Sequence, residues 1–239
     1  GCNLKCIYCQ NAQIALSSQG KVVSVSELAE IMLDLQAQGA HNINLVTPSH
    51  VVLQIREALQ LARASGLSLP VVYNTSAYEN AETLRLLEGL VDIYLPDFKY
   101  MDSELAAKYS HAPDYPEVAR KAIAEMYRQR GAFVHGEDGM LQSGVVVRHL
   151  LLPLGVRNAK AVLDELRETY GENIYISIMN QFTPVRKIDA YPHLNRKVTK
   201  REYEKVLSYI LEKGMEHVFF QEGETAKESF IPNFDCTFV

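Results

Sequence analysis

Two rhythms of apolar and polar positions alternate along the chain. Residues 24–39, "SVSELAEIMLDLQAQG", carry apolar positions at helical spacing, with Ser24 three residues before Glu27 as a capping box and Gly39 as the stop. The short β-rich run 42–48, "NINLVTP", follows and is closed by Pro48. Residues 49–66 place Val52, Ile55, Leu59 and Ala62 on one helical stripe ending at Gly66. The alternation continues with a strand in "PVVYNTS" (70–76), a helix in "NAETLRLLEG" (80–89) capped by Asn80, and a strand in "VDIYLPDF" (91–98). Residues 102–131 read as helix with a break near Pro113 and Pro116, and the Gly-rich stretch 132–144 as a surface loop or small hairpin. The longest β run is "VVVRHLLLP" (145–153). A helix (157–171), a strand (173–181), a helix with a Thr199–Glu202 capping box (199–214) and a last strand (217–223) complete the pattern.

Strands alternating with helices imply right-handed βαβ units and a parallel sheet. With six strands visible and room for a seventh before Gly1, the pattern predicts a complete or partial (β/α) barrel over residues 1–224, followed by a patternless tail at 225–239. A doubly wound nucleotide fold fits less well, because no G-x-G-x-x-G follows any strand. Gly1 stands directly before a cysteine cluster, so a further segment is expected upstream.

The 239 residues are 47% hydrophobic and 22% charged, enough for a sizeable core. A net charge of -5 with interspersed signs speaks against nucleic acid as the main partner. No apolar run reaches the roughly 18–20 residues that span a bilayer.

In a barrel of this class the active face is built from the C-terminal strand ends. Here those ends are polar: Thr47, then Asn74, Thr75 and Ser76, then Asp97 and Lys99, then Asn180 and Gln181, then Gln221 and Glu222. Arg148 and His149 lie inside the long strand and must point to opposite faces. Whichever looks inward needs a partner, and for Arg148 that is an acidic ligand or Asp97.

Three of the four cysteines, Cys2, Cys6 and Cys9, lie in "GCNLKCIYCQN" at C-x3-C-x2-C spacing. Crowded thiols of this kind bind metal or do redox chemistry in a reducing, cytoplasmic compartment rather than form a disulfide framework. Structural zinc wants four protein ligands, and Cys236 is far away in sequence. An electron-carrying cluster and a four-iron cluster with one iron left open are the other readings.

The motif, with Tyr8 before the last cysteine, resembles the signature of the radical S-adenosylmethionine enzymes. "GCNLKCIYCQN", "VDIYLPDFKYMD" and "VVVRHLLLPLG" are similar to the branch containing pyruvate formate-lyase activating enzyme, and "NLVTPSH", "YNTSAYE" and "MNQFTP" to a less characterised subgroup of it. The resemblance implies an α/β fold, a partial (β/α)6 TIM-like barrel whose first strand precedes residue 1. It implies a [4Fe-4S] cluster on Cys2, Cys6 and Cys9, with S-adenosylmethionine on its open iron and a 5'-deoxyadenosyl radical that abstracts hydrogen.

Cofactor contacts then fall to Tyr8, Thr47, Ser49, Asn74, Ser76, Asp97, Lys99 and Asn180, with Asp97 offsetting the sulfonium charge and Arg148 and Lys99 as catalytic candidates. The family's Gly-Gly-Glu strand end is replaced by Thr47-Pro48-Ser49. Pro48 offers no N–H, so carbonyls or the hydroxyls of Thr47 and Ser49 must serve. The partners implied are a glycyl radical enzyme or another protein or peptide substrate, and an electron donor such as flavodoxin or ferredoxin. A radical enzyme acting on a small molecule and a non-catalytic iron–sulfur or zinc protein are the alternatives.

Overall fold

The structure is a computed structural model that describes residues 1–16 and 20–221. Its helices are α1 (Ala12–Ala15), α2 (Val25–Ala37), α3 (Val52–Ala64), α4 (Ala81–Arg85), α5 (Ser103–Ser110), α6 (Tyr115–Arg130), α7 (Val156–Tyr170) and α8 (Lys200–Glu212). Its strands are β1 (Ile43–Val46), β2 (Val71–Thr75), β3 (Ile93–Pro96), β4 (Val134–His135), β5 (Leu141–Leu150), β6 (Tyr175–Met179) and β7 (Val218–Phe220). The expected alternation is present. Both capping boxes close, Ser24 with Glu27 and Thr199 with Glu202, and the Asn80 side chain accepts from the Glu82 amide. The helix expected over 80–89 is shorter than its pattern, because after Arg85 the chain turns through successive tight bonds to Gly89, where φ is +81°.

Six strands run parallel in the order β1-β2-β3-β5-β6-β7. β4 pairs antiparallel with β5, which makes the Gly-rich stretch the hairpin that was one of its two readings. No pairing joins β7 to β1 among the described residues, so the sheet is open, a partial barrel. Glu222, the tail at 225–239 and Cys236 lie outside the described residues.

The period-two alternation of the strands sorts side chains between the two faces. Val71, Tyr73, Tyr94, Val145 and Val147 join the large core against the helices, with Leu59, Ile123 and Leu163 among their buried neighbours. The opposite, inner face is a small cluster of Val72, Ile93 and Val146, flanked by Leu95 and Tyr175. Most of the stabilising apolar burial therefore lies between sheet and helices, leaving the inner face free for polar side chains at its C-terminal rim. None of the helices among the described residues is long and apolar enough to cross a membrane.

Candidate functional site

Arg148 resolves the ambiguity of the long strand. It lies on the inner face in register with Ser177, while His149 turns to the helix side, 1% exposed, and donates from Nδ1 to the Phe98 carbonyl at 2.7 Å. The Arg148 guanidinium donates to Asp97 Oδ1 (Nε 2.9 Å) and to Asn74 Oδ1 (Nη2 2.7 Å). Lys99 Nζ reaches the other oxygen of Asp97 at 2.6 Å. Three adjacent strand ends thus place Asn74, Asp97, Lys99 and Arg148 in one network.

Burial alone would raise the Asp97 carboxyl, but Lys99 and Arg148 outweigh it and hold the group below its usual range. Burial likewise works against the charge of Lys99, and Asp97 and Cys6 outweigh it, so the ammonium is held above its usual range. Two cations against one carboxylate leave one net positive charge. Asp97, expected to offset a sulfonium, is paired within the protein to both cations.

Cys6 of the cysteine loop lies within electrostatic range of Lys99 in this network. The Ile7 amide donates to the Tyr109 carbonyl at 2.8 Å, tying the loop to the end of α5, and the Arg186 side chain donates to the Ile7 carbonyl at 2.9 Å from the other side. Burial pushes the Cys6 thiol up, countered by Lys99 and a hydrogen bond with Ser110. Cys9 is raised by burial and countered by the Asn11 amide, and it lies within electrostatic range of Cys2. All three thiols are free and partly buried.

Among the described residues no three His, Cys, Asp or Glu side chains close on a single ion. A four-iron cube offers its irons at separate corners, so its thiolates need not meet at a point. Three thiols on one loop, faced by a lysine ammonium, are a donor set that fits such a cluster.

The remaining expected residues fall into two groups. Thr47 ends β1 in the left-handed region (φ 54°), its amide donating to the Asn74 carbonyl at 2.8 Å, and Pro48 opens a short 3-10 turn. The Asn180 amide donates to Gln221 Oε1 at 2.8 Å at the far rim. Ser49, Ser76 and Tyr8 are instead engaged by the protein. The Ser49 hydroxyl donates to Glu79, which also accepts from Thr75 and Tyr73. The Ser76 hydroxyl accepts from the Tyr78 amide, and Tyr115 donates to the Ser76 carbonyl at 2.9 Å. Tyr8 is buried, edge-on to Phe182 with ring centroids 6.1 Å apart, its hydroxyl 2.6 Å from that of Tyr100.

Glu79, Ser110, Tyr100 and Arg186 escape the sequence reading. Glu79 and Tyr100 had a signal, the first a carboxylate four residues after the polar strand end of Thr75 and the second the neighbour of Lys99; Ser110 and Arg186 reach the site from distant segments.

The family model of the radical SAM superfamily matches residues 1–141. The uncharacterised protein MJ0674 of Methanocaldococcus jannaschii is 27% identical over 216 residues, covering 87% of this chain and 59% of its own length. SuiB of Streptococcus suis shares the fold with a TM-score of 0.61 at 15% identity, over 93% of this chain and 47% of its own. A domain of pyruvate-formate lyase-activating enzyme from Bacteroides vulgatus does so with a TM-score of 0.53 at 14% identity, over 77% of this chain and all of that domain. The chain thus spans about half to three-fifths of the length of MJ0674 and SuiB. With the family model covering more than half of its residues, the chain belongs to the radical SAM superfamily.

Proposed function

We propose that this chain is the catalytic barrel of a radical SAM enzyme acting on a protein or peptide, in its specific form an activase that installs a glycyl radical on a partner enzyme. Cys2, Cys6 and Cys9 hold the [4Fe-4S] cluster. When bound, cluster and S-adenosylmethionine supply a one-electron cleavage that ends in hydrogen abstraction from the substrate. The observation that carries the reading is the Asn74–Arg148–Asp97–Lys99 network at the strand ends, in electrostatic contact with the cysteine loop.

The residues of this chain bind and orient. The net positive charge of Lys99, Asp97 and Arg148 receives the carboxylate of the methionine moiety, a charge-assisted contact that fixes one end of the cofactor. Thr47 and the Asn74 side chain address the ribose and amino side from β1 and β2, and Asn180 the adenine side from β6. Ser49 acts through the shape of its turn, since its O–H is given to Glu79, Ser76 keeps its own O–H to donate toward the ribose or carboxylate, and Tyr8 acts by supporting the loop. The same Lys99 ammonium offsets negative charge on the thiolates.

A polypeptide substrate is supported by the sheet, in which no pairing among the described residues closes β7 onto β1. It is also supported by the likeness in fold to SuiB, which has been solved with its precursor peptide SuiA at a TM-score of 0.59, and to the activating-enzyme domain. The electron donor is of the flavodoxin or ferredoxin class, and the compartment is the cytoplasm.

Anaerobic reconstitution with iron and sulfide, followed by reductant and S-adenosylmethionine, is expected to release 5'-deoxyadenosine. Adding a glycyl radical enzyme should give a protein radical in the electron paramagnetic resonance spectrum. Iron without 5'-deoxyadenosine would leave a non-catalytic protein; 5'-deoxyadenosine without transfer to any polypeptide would point to a small-molecule substrate.

A further inference from the structure

A chain of three buried hydroxyls ends on one of the thiols. Cys6 Sγ lies 3.0 Å from Ser110 Oγ, which lies 2.8 Å from the Tyr100 hydroxyl, which lies 2.6 Å from the Tyr8 hydroxyl. Ser110 and Tyr100 are each 1% exposed and Tyr8 is 8% exposed. The two outer members belong to the cysteine loop itself, and the two inner ones to the segment that follows β3.

Proton counting fixes the direction of this chain. A thiolate that ligates iron can only accept. Ser110 must then donate its single proton to the sulfur, which obliges it to accept from Tyr100. Tyr100 has spent its own proton and must accept from Tyr8. All three O–H dipoles point toward sulfur, and in a site screened from water each bond polarises the next.

The geometry is held from outside. Tyr115 and Tyr109 pack edge-on against the Tyr100 ring, with centroids 5.4 and 6.3 Å away. Ser110 closes α5, its carbonyl accepting from the Lys5 amide at 3.4 Å.

Hydrogen bonds to the sulfurs are among the factors that set the reduction potential of an iron–sulfur cluster. A donor aimed at sulfur withdraws electron density and favours the reduced, more negative state. We propose that Ser110, backed by Tyr100 and Tyr8, is a positioning residue that raises the reduction potential of the cluster through Cys6. The inference rests on the reading that Cys2, Cys6 and Cys9 hold that cluster.

The test is a reductive titration with dithionite of the anaerobically reconstituted chain, followed by electron paramagnetic resonance, with iron counted on the same samples. Ser110→Ala is expected to keep about four irons. Its midpoint should move to more negative potential by about a tenfold change in the reduction equilibrium, about 59 mV for a one-electron couple. Tyr8→Phe should move it the same way by less, and Ser110→Thr should restore it.

Unchanged midpoints in Ser110→Ala and Tyr8→Phe with iron retained would overturn the proposal. Should Ser110→Ala fail to fold, Tyr8→Phe decides, since it removes one oxygen and leaves the ring. No iron in the unsubstituted protein would overturn the cluster reading, and this proposal with it.

Discussion

Arg148 on β5 and Asp97 beyond β3 meet as bridge partners, with Arg148 Nη2 2.8 Å from Asp97 Oδ1. Lys99 holds the second carboxylate oxygen, and the three side chains are 24%, 17% and 15% exposed. Removing the carboxylate leaves two cations facing each other in a half-buried site. Asp97→Ala is expected to lose about 3 kcal/mol of stability, as when a buried pair loses one partner. In the reconstituted protein it should weaken S-adenosylmethionine binding more than iron loading. Equal loss of both would make Asp97 structural only, and binding titrations beside iron counts separate the two outcomes.

Cys2→Ala, Cys6→Ala and Cys9→Ala are each expected to abolish reconstituted iron and its visible absorption. Cys236→Ala should leave both intact. Loss of iron on Cys236→Ala would mean four protein ligands and no open position for S-adenosylmethionine.

His149 gives the fold a pH dependence with a definite sign. Burial lowers its value from 6.5 to about 4, the Lys99 charge helping, while the Phe98 carbonyl and Asp97 work in the other direction. The folded state refuses a proton that the unfolded state accepts. The stability is therefore fully present above pH 6.5 and lost as pH falls toward 4. The loss should approach about 3 kcal/mol, at 1.36 kcal/mol per unit. Denaturant titrations at pH 7.5 and 4.5 measure it, and His149→Gln should flatten the difference.

Glu79 runs the opposite way. Burial raises its carboxyl while the hydroxyls of Ser49, Thr75 and Tyr73 pull it down. Its contribution is present below the ordinary carboxylate value and lost as pH rises through the raised one. Glu79→Gln keeps an oxygen for those hydroxyls and removes the charge, so it is expected to be more stable than the unsubstituted chain at pH 7.5. Glu79→Ala leaves buried hydroxyls without their acceptor and should cost about 1–3 kcal/mol. Equal melting of Glu79→Gln and Glu79→Ala would show that the hydroxyl contacts contribute nothing.

Much of this was legible in the sequence because it is local. The capping boxes at Ser24 and Thr199, the strand runs and the polar strand ends all rest on neighbours within four residues. The three thiols were legible for the same reason. The orientation of Arg148 required the fold, since alternation says that Arg148 and His149 diverge but not which turns inward. The engagement of Ser49 by Glu79 across 30 residues, and of Cys6 by Ser110 across 104, joins segments that only the βαβ winding brings together. No periodicity encodes such meetings.

The peptide of Ile7 is gripped at both ends, its amide by Tyr109 and its carbonyl by Arg186. These two bonds fix the main chain between Cys6 and Cys9 within the fold itself. Most of the entropy of ordering a receptor is then spent during folding, and apoprotein and loaded protein should differ little in backbone there. On the proposed cluster reading, assembly would fill a prepared seat, and its speed should follow the supply of iron and sulfide rather than a rearrangement of the protein.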